Sequence, residues 1–185
     1  MPVRVAWNTR RMARVLLDAT VRTDYGQFDL LWSADIGFDG DFDRVFAGQA
    51  NGLAGAASPG GLYLHLARRS GGSPVRIVAH ASAPPAAADE WDDVVEVSVA
   101  VPPGSSPRWS TWAGEASGPL DLAPGEYRVR VSARGRDAGA AGELAEGPVD
   151  FYLVDLWPDP ARPDEVLRSR SANAEFWHRQ LGGRR

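Results

Sequence analysis

The stretch that decides the fold is GPLDLAPGEYRVRVSARGRD, residues 118–137. Leu120 and Leu122 alternate with polar neighbours before Pro124-Gly125 interrupts the run. Proline then glycine at the centre of Ala123-Pro124-Gly125-Glu126 suits a type II turn, because the ring presets φ and glycine accepts a positive one. After the turn, Tyr127, Val129, Val131 and Ala133 share one face, and Arg128, Arg130, Ser132 and Arg134 the other. A period of two predicts a strand with one dry and one wet face, as in an antiparallel sheet.

Working outward, the same signature recurs. Residues 15–21 and 27–32 read as strand, and could be one long strand bent at Tyr25-Gly26, since glycine within a strand marks a bulge. Residues 62–68 and 75–80 read as a hairpin across Gly71-Gly72-Ser73-Pro74. In 94–101, Val95, Val97, Val99 and Val101 face one way, and Glu96 and Ser98 the other. Residues 108–113 and 149–157 supply two more strands. Residues 1–14 read as an edge strand or loose arm, 33–46 as an acidic loop or short helix, 49–61 as a connection, and 138–147 as a flexible loop. Beyond Pro158, Pro160 and Pro163, Asp164 can cap a helix over 164–181 with Leu167, Ala174, Trp177 and Leu181 on one face.

Many short strands joined by turns predict an all-β fold, an antiparallel β-sandwich with a C-terminal helix. A chain of 185 residues fits a single domain over 1–185, with the sandwich core at 15–157 and the helix at 164–181.

Composition narrows the chemistry. There is no cysteine, which excludes thiol catalysis, disulfides and cysteine-bound zinc. All 20 basic residues are arginine, so Schiff-base chemistry and a P-loop lysine are absent. A net charge of −4 gives no general affinity for nucleic acid or anionic membranes. Arg4, Arg10, Arg11 and Arg14 break every early apolar run, and no window reaches the ~18 apolar residues of a membrane span. The expectation is a soluble cytoplasmic protein.

Asp39, Asp41 and Asp43 alternate as calcium ligands do. An EF-hand loop, however, needs glycine where Arg44 stands and glutamate where Ala50 stands, so no metal is expected. His65 and His80 could face each other across the hairpin, but no nucleophile elbow, GxGxxG or HExxH pattern accompanies them. Neither an enzyme nor a cofactor is expected. Trp7, Trp32, Trp91, Trp109, Trp112, Trp157 and Trp177 could line a sugar- or partner-binding face, or fill the core.

Charge is segregated. Between Arg22 and Arg44 lie Asp24, Asp29, Asp35, Asp39, Asp41 and Asp43 with no basic residue, and between Arg76 and Arg108 lie Asp89, Glu90, Asp92, Asp93 and Glu96. Such runs are solubilising loops in many proteins. Gathered together they would make a docking surface for a basic protein.

Three segments carry a resemblance. YGQFDLLW at 25–32, WDDVVEVSVAVP at 91–102 and LDLAPGEYRVRV at 120–131 together resemble the competence protein J family, whose named member inhibits a DNA-entry nuclease. The resemblance spans residues 19–136 and leaves the 149–157 strand and the C-terminal helix outside it. It implies a protein-binding inhibitor or immunity protein that neutralises a nuclease or other basic toxin. The partner-binding residues would be Asp35, Phe38, Asp39, Asp41, Phe42 and Asp43, with Asp89, Glu90, Trp91, Asp92 and Asp93. The alternative is a carbohydrate- or small-ligand-binding sandwich that uses surface tryptophans.

Overall fold

Alternation of apolar and polar side chains, the rule read from residues 127–134, organises two sheets around one core. The computed structural model describes residues 13–34 and 37–183; the arm at 1–12, with Trp7, and Asp35 lie outside the described residues. The elements in order are β1 (Arg14–Thr23), β2 (Gln27–Leu31), α1 (Phe42–Val45), β3 (Ala54–Gly55), β4 (Gly61–His65), β5 (Gly71–Ala79), β6 (Asp93–Val101), β7 (Arg108–Thr111), β8 (Ser117–Pro119), β9 (Gly125–Arg134), α2 (Arg136–Ala141), β10 (Phe151–Pro158), β11 (Glu165–Arg168) and α3 (Ala172–Leu181). One sheet runs β1-β5-β10-β9-β6-β11 and the other β3-β4-β2-β7-β8.

Phe28, Leu30, Leu62 and Leu64 from the smaller sheet meet Val75, Ile77, Val95, Val97, Val129, Val131, Tyr152 and Val154 from the larger in one buried cluster. The organising strand β9 sits between β6 and β10. Tyr127 packs into the core while its hydroxyl donates to Ala123 O at 2.8 Å, tying down the turn before the strand.

The structure corrects several expectations. The pairing is not wholly antiparallel, since Tyr152–Leu156 of β10 runs parallel to Val75–Ala79 of β5. Parallel neighbours need a long crossover, and residues 80–150 provide it. No hairpin joins β4 to β5, because the chain changes sheets between them. His65 and His80 therefore belong to different parts of the fold, and His80 Nε2 pairs instead with Asp155 Oδ1 at 2.6 Å. Tyr25-Gly26 is likewise a transfer between sheets. Gly26 has φ +65, and a Cβ there would lie 2.4 Å from Leu66 O, so only glycine fits.

The supposed wet face of β9 is dry. Arg128 and Arg130 are 0% and 8% exposed. Chain 158–168 covers them from one side: Arg162 O and Pro163 O accept from Arg128. From the other side Pro85 O accepts from Arg130 at 2.6 Å. The C-terminal helix is also shorter than 164–181. Residues Glu165–Arg168 pair with β6 as an edge strand, Leu167 is half exposed, and α3 starts only after Ser171, whose hydroxyl caps Ala174 N at 3.0 Å. Asp164 caps no helix and instead accepts from Ala50 N and Asn51 N, the latter at 2.7 Å. Among the described residues no helix is long and apolar enough to cross a membrane.

Candidate functional site

On the smaller sheet, Phe28 and Leu30 point into the core, so Gln27 and Asp29 of β2 must point out of it, as Tyr63 and His65 of β4 do beside them. The register sets Gln27 opposite His65 and Asp29 opposite Tyr63. This outer face is nonetheless buried, because loop 37–43, α1 and α3 fold across it. Phe38 lies 4.3 Å from the Tyr63 ring and 4.7 Å from Phe42, and Trp177 of α3 lies 4.0 Å from His65. The aromatics seal a polar layer between themselves and the sheet.

That layer is hydrogen-bonded. Asp29 accepts from Gln27 Nε2 at 2.6 Å and from Phe38 N at 3.2 Å, pinning the start of the loop to β2. Burial pushes the Asp29 carboxyl up to about 6, against the lowering effect of those two bonds. Tyr63 Oη lies 2.8 Å from His65 Nδ1. Burial raises the Tyr63 phenol above its ordinary range and, with the nearby Arg136 charge, lowers His65 to about 3. Arg136, 1% exposed, donates to His65 O at 2.8 Å and twice to Asn173 Oδ1, so it holds β4 and α3 together.

Beside this layer lies an open cavity of about 710 Å³, walled by Tyr25, Phe42, His65, Trp112 and Trp177. A second cavity of about 300 Å³ lies across Phe38 and Tyr63 and reaches Asp29. The first is of a size that takes small ligands. Both border loop 37–43 at Phe38 and Asp39.

The acidic residues singled out from the sequence separate into two groups. Asp39, Asp41 and Asp43 are exposed on the loop and on α1. Arg44 Nη2 pairs with Asp39 at 2.8 Å, and Asp41 caps α1 by accepting from Arg44 N at 2.9 Å. Bonds from Asp41 N and from Arg44 lower the Asp39 carboxyl below its usual range. Phe38 and Phe42, between these acids, pack against Val45, Phe46, Tyr63 and Leu181.

The second group ranges from exposed Asp89 and Glu90 to buried Asp93. Asp93 is 0% exposed; its carboxylate accepts from Arg170 N, from Ser171 N and, at 2.6 Å, from Ser171 Oγ, holding the start of α3. Its burial removes it from any docking surface. Asp92 accepts from Gly135 N at 3.0 Å, and Asp89 pairs with Arg170 at 2.6 Å. Trp91 lies under the Arg134 guanidinium, and its carbonyl accepts from Arg168. Only Glu90 stays exposed without a bond of this kind. The two groups sit at opposite ends of α3: Asp93 holds its start, whereas Asp41, Phe42 and Asp43 border Phe176 and Leu181 near its end. Ten residues of helix span about 15 Å.

The described tryptophans do not share a face. Trp32 and Trp157 are buried, Trp109 packs on the core, and Trp112 and Trp177 reach the large cavity. The polar layer of Gln27, Asp29, Tyr63 and His65 went unnoticed in the sequence. The available signal was polar residues alternating with Phe28, Leu30, Leu62 and Leu64 in strands later covered by helix and loop.

No family model and no curated protein matches the chain. Two solved structures resemble it. One is the crystal structure of ComJ, inhibitor of the DNA degrading activity of NucA, from Bacillus subtilis, with a TM-score of 0.54 and 16% identity over 80% of this chain and 99% of that one. The other is the product of crocagin biosynthetic gene J, with a TM-score of 0.50 and 18% identity over the same shares. The likeness is one of fold. It covers more of the chain than the three segments at 25–32, 91–102 and 120–131.

Proposed function

We propose that this chain is a protein-binding inhibitor built on a two-sheet, sandwich-type frame, with a DNA-degrading nuclease as its target. The observation that carries the proposal is loop 37–43, where Asp39, Asp41 and Asp43 face solvent against the single cation Arg44 beside partly exposed aromatics. A nuclease must present cationic groups to hold phosphates. Carboxylates placed to meet those groups, without a scissile bond, can occupy such a cleft, while neighbouring aromatic side chains supply the desolvated anchors that slow dissociation. The fold likeness to ComJ supports the same role.

Of the residues named from the sequence, Phe38, Asp39, Asp41, Phe42 and Asp43 form the docking patch in this proposal. Asp89, paired with Arg170 just before α3, belongs to the other end of that helix from the patch and is not part of its centre in this proposal. The test is DNA degradation by a purified nuclease encoded in the same genome, with and without the chain. Stoichiometric loss of cleavage that weakens as salt rises is the expected result. Unchanged cleavage, together with no complex on a sizing column, would overturn the proposal.

A further inference from the structure

The large cavity beside the aromatic layer is lined by hydrogen-bond donors that nothing in the fold uses. Tyr63 Oη, kept protonated by burial, has one acceptor within reach, His65 Nδ1 at 2.8 Å. With the hydroxyl as donor in this contact, the neutral imidazole carries its proton on Nε2, the tautomer on which the inference rests. His65 is 8% exposed and lines the cavity, and no acceptor among the described residues takes its Nε2–H.

Asn173 repeats the pattern. Both of its bonds from Arg136 arrive at Oδ1, at 3.1 and 2.8 Å, which orients the amide and leaves its NH₂ for the cavity that Asn173 also lines. Arg136 behind it is 1% exposed, and each of its hydrogen bonds goes to a neutral oxygen, so no carboxylate pairs with this buried charge among the described residues. At the mouth, exposed Arg69 lies over the Tyr25 ring at 5.5 Å and makes no ion pair among the described residues. The carboxylates nearby are already engaged. Asp39 is held by Arg44, Asp29 accepts from Gln27 and Phe38 N, Asp150 accepts from Ser73 and Tyr152, and Asp137 and Asp93 accept from the backbone N–H groups that open α3.

We infer that this cavity binds a small organic acid, a carboxylate carried on a planar aromatic body. The carboxylate, an acceptor at every lone pair, meets the His65 ring edge and the Asn173 amide, with Arg136, which no carboxylate among the described residues pairs directly, behind Asn173. The ring lies among Phe42, Trp112 and Trp177. Charge-assisted bonds to these donors are stronger than those a neutral analogue can make. The cavity shares Phe38, Asp39 and Phe42 with the docking patch proposed above, but the inference does not rest on the nuclease reading, and its binding is measured with no protein partner present.

The probe is 2-naphthoate, titrated into the full chain by calorimetry and by tryptophan fluorescence, with 2-naphthamide and cellobiose as comparisons. Saturable binding of one 2-naphthoate per chain is expected, with the amide weaker by about tenfold or more. Asn173→Ala should weaken naphthoate by about tenfold, and Arg69→Ala, an exposed change that leaves the fold intact, by a few-fold. Thermal unfolding of each variant separates lost binding from lost structure. Equal affinity for acid and amide, preference for cellobiose, unchanged binding in both variants, or no saturable binding at all would each overturn the inference. None of these results bears on inhibition of a nuclease.

Discussion

Arg128 Nε lies 3.0 Å from Glu96 Oε2, with both side chains essentially out of water. Arg130 Nε reaches the other oxygen of the same carboxylate at 2.9 Å, and Arg162 approaches from the covering chain at 3.3 Å. One glutamate on β6 thus holds two neighbouring arginines of β9. Burial alone would raise its carboxyl, but the bonds from Arg128 and Arg130 prevail and keep it below the usual glutamate range. Glu96→Ala leaves buried Arg130 without its carboxylate and Arg128 with only the half-exposed Glu165, 3.2 Å from its Nη2, and should destabilise the fold by about 3–5 kcal/mol, as read from urea denaturation. Because the folded value is depressed, this stabilisation is whole above the ordinary glutamate value and is lost as pH falls through the lowered one. Charge reversal at Arg128, on a face that the sequence presents as solvated, should be at least as damaging.

Asp29 has the opposite sign. Its carboxyl is raised from 3.8 to about 6, so between those values the folded chain binds more protons than the unfolded one. Stability should therefore fall as pH rises from about 4 to about 6. Melting temperature against pH for the parent and for Asp29→Asn checks this. The variant, which keeps an acceptor for Phe38 N, should lose that slope.

Gly52 meets α3 backbone to backbone. A Cβ at this position would sit 2.0 Å from Trp177 O and 2.9 Å from His178 N. Gly52→Ala cannot be absorbed by a side-chain rotation, so it should push the loop off the helix at a cost of about 1–3 kcal/mol. Red-shifted tryptophan emission would report Trp177 leaving its packing. An unchanged spectrum and melting temperature would show that the loop yields instead.

Neutralising Asp39, Asp41 and Asp43 together with asparagine should barely change stability, since asparagine caps helices as well as aspartate does. Association with a basic nuclease target should slow by about tenfold at low salt, and the difference should shrink above physiological ionic strength as exposed charges are screened. Glu126→Gln, exposed at the start of β9, serves as the control. Stopped-flow rates that match the parent in the triple variant at low salt would remove the loop from the interface.

The strands were legible because the core imposes its period on them: Tyr127, Val129 and Val131 could only face one way. The opposite face misled, because alternating arginines look the same whether water or more chain lies over them. What distinguishes the cases is Glu96, 32 residues before Arg128 in sequence and brought near it by the β6–β9 register. Asp164 resembled a helix cap for a similar reason. A carboxylate before an apolar run can accept from any nearby backbone N–H, and here those belong to Ala50 and Asn51, 114 and 113 residues away. Likewise, Gln27, Asp29, Tyr63 and His65 form a layer only because loop 37–43 and α3 return to cover them.

The dependence on α3 sets an order of events during synthesis. Residues 171–181 follow every strand of both sheets, yet they supply Asn173 and Trp177 to the cavity and Leu181 to the aromatic cluster. A chain emerging from the ribosome N-terminus first can assemble both sheets while Phe42, Tyr63 and His65 still lie bare. The site therefore comes into being only once residues 171–181 have been made and docked, after every strand they cover, and a product truncated before α3 would carry an adhesive patch in its place.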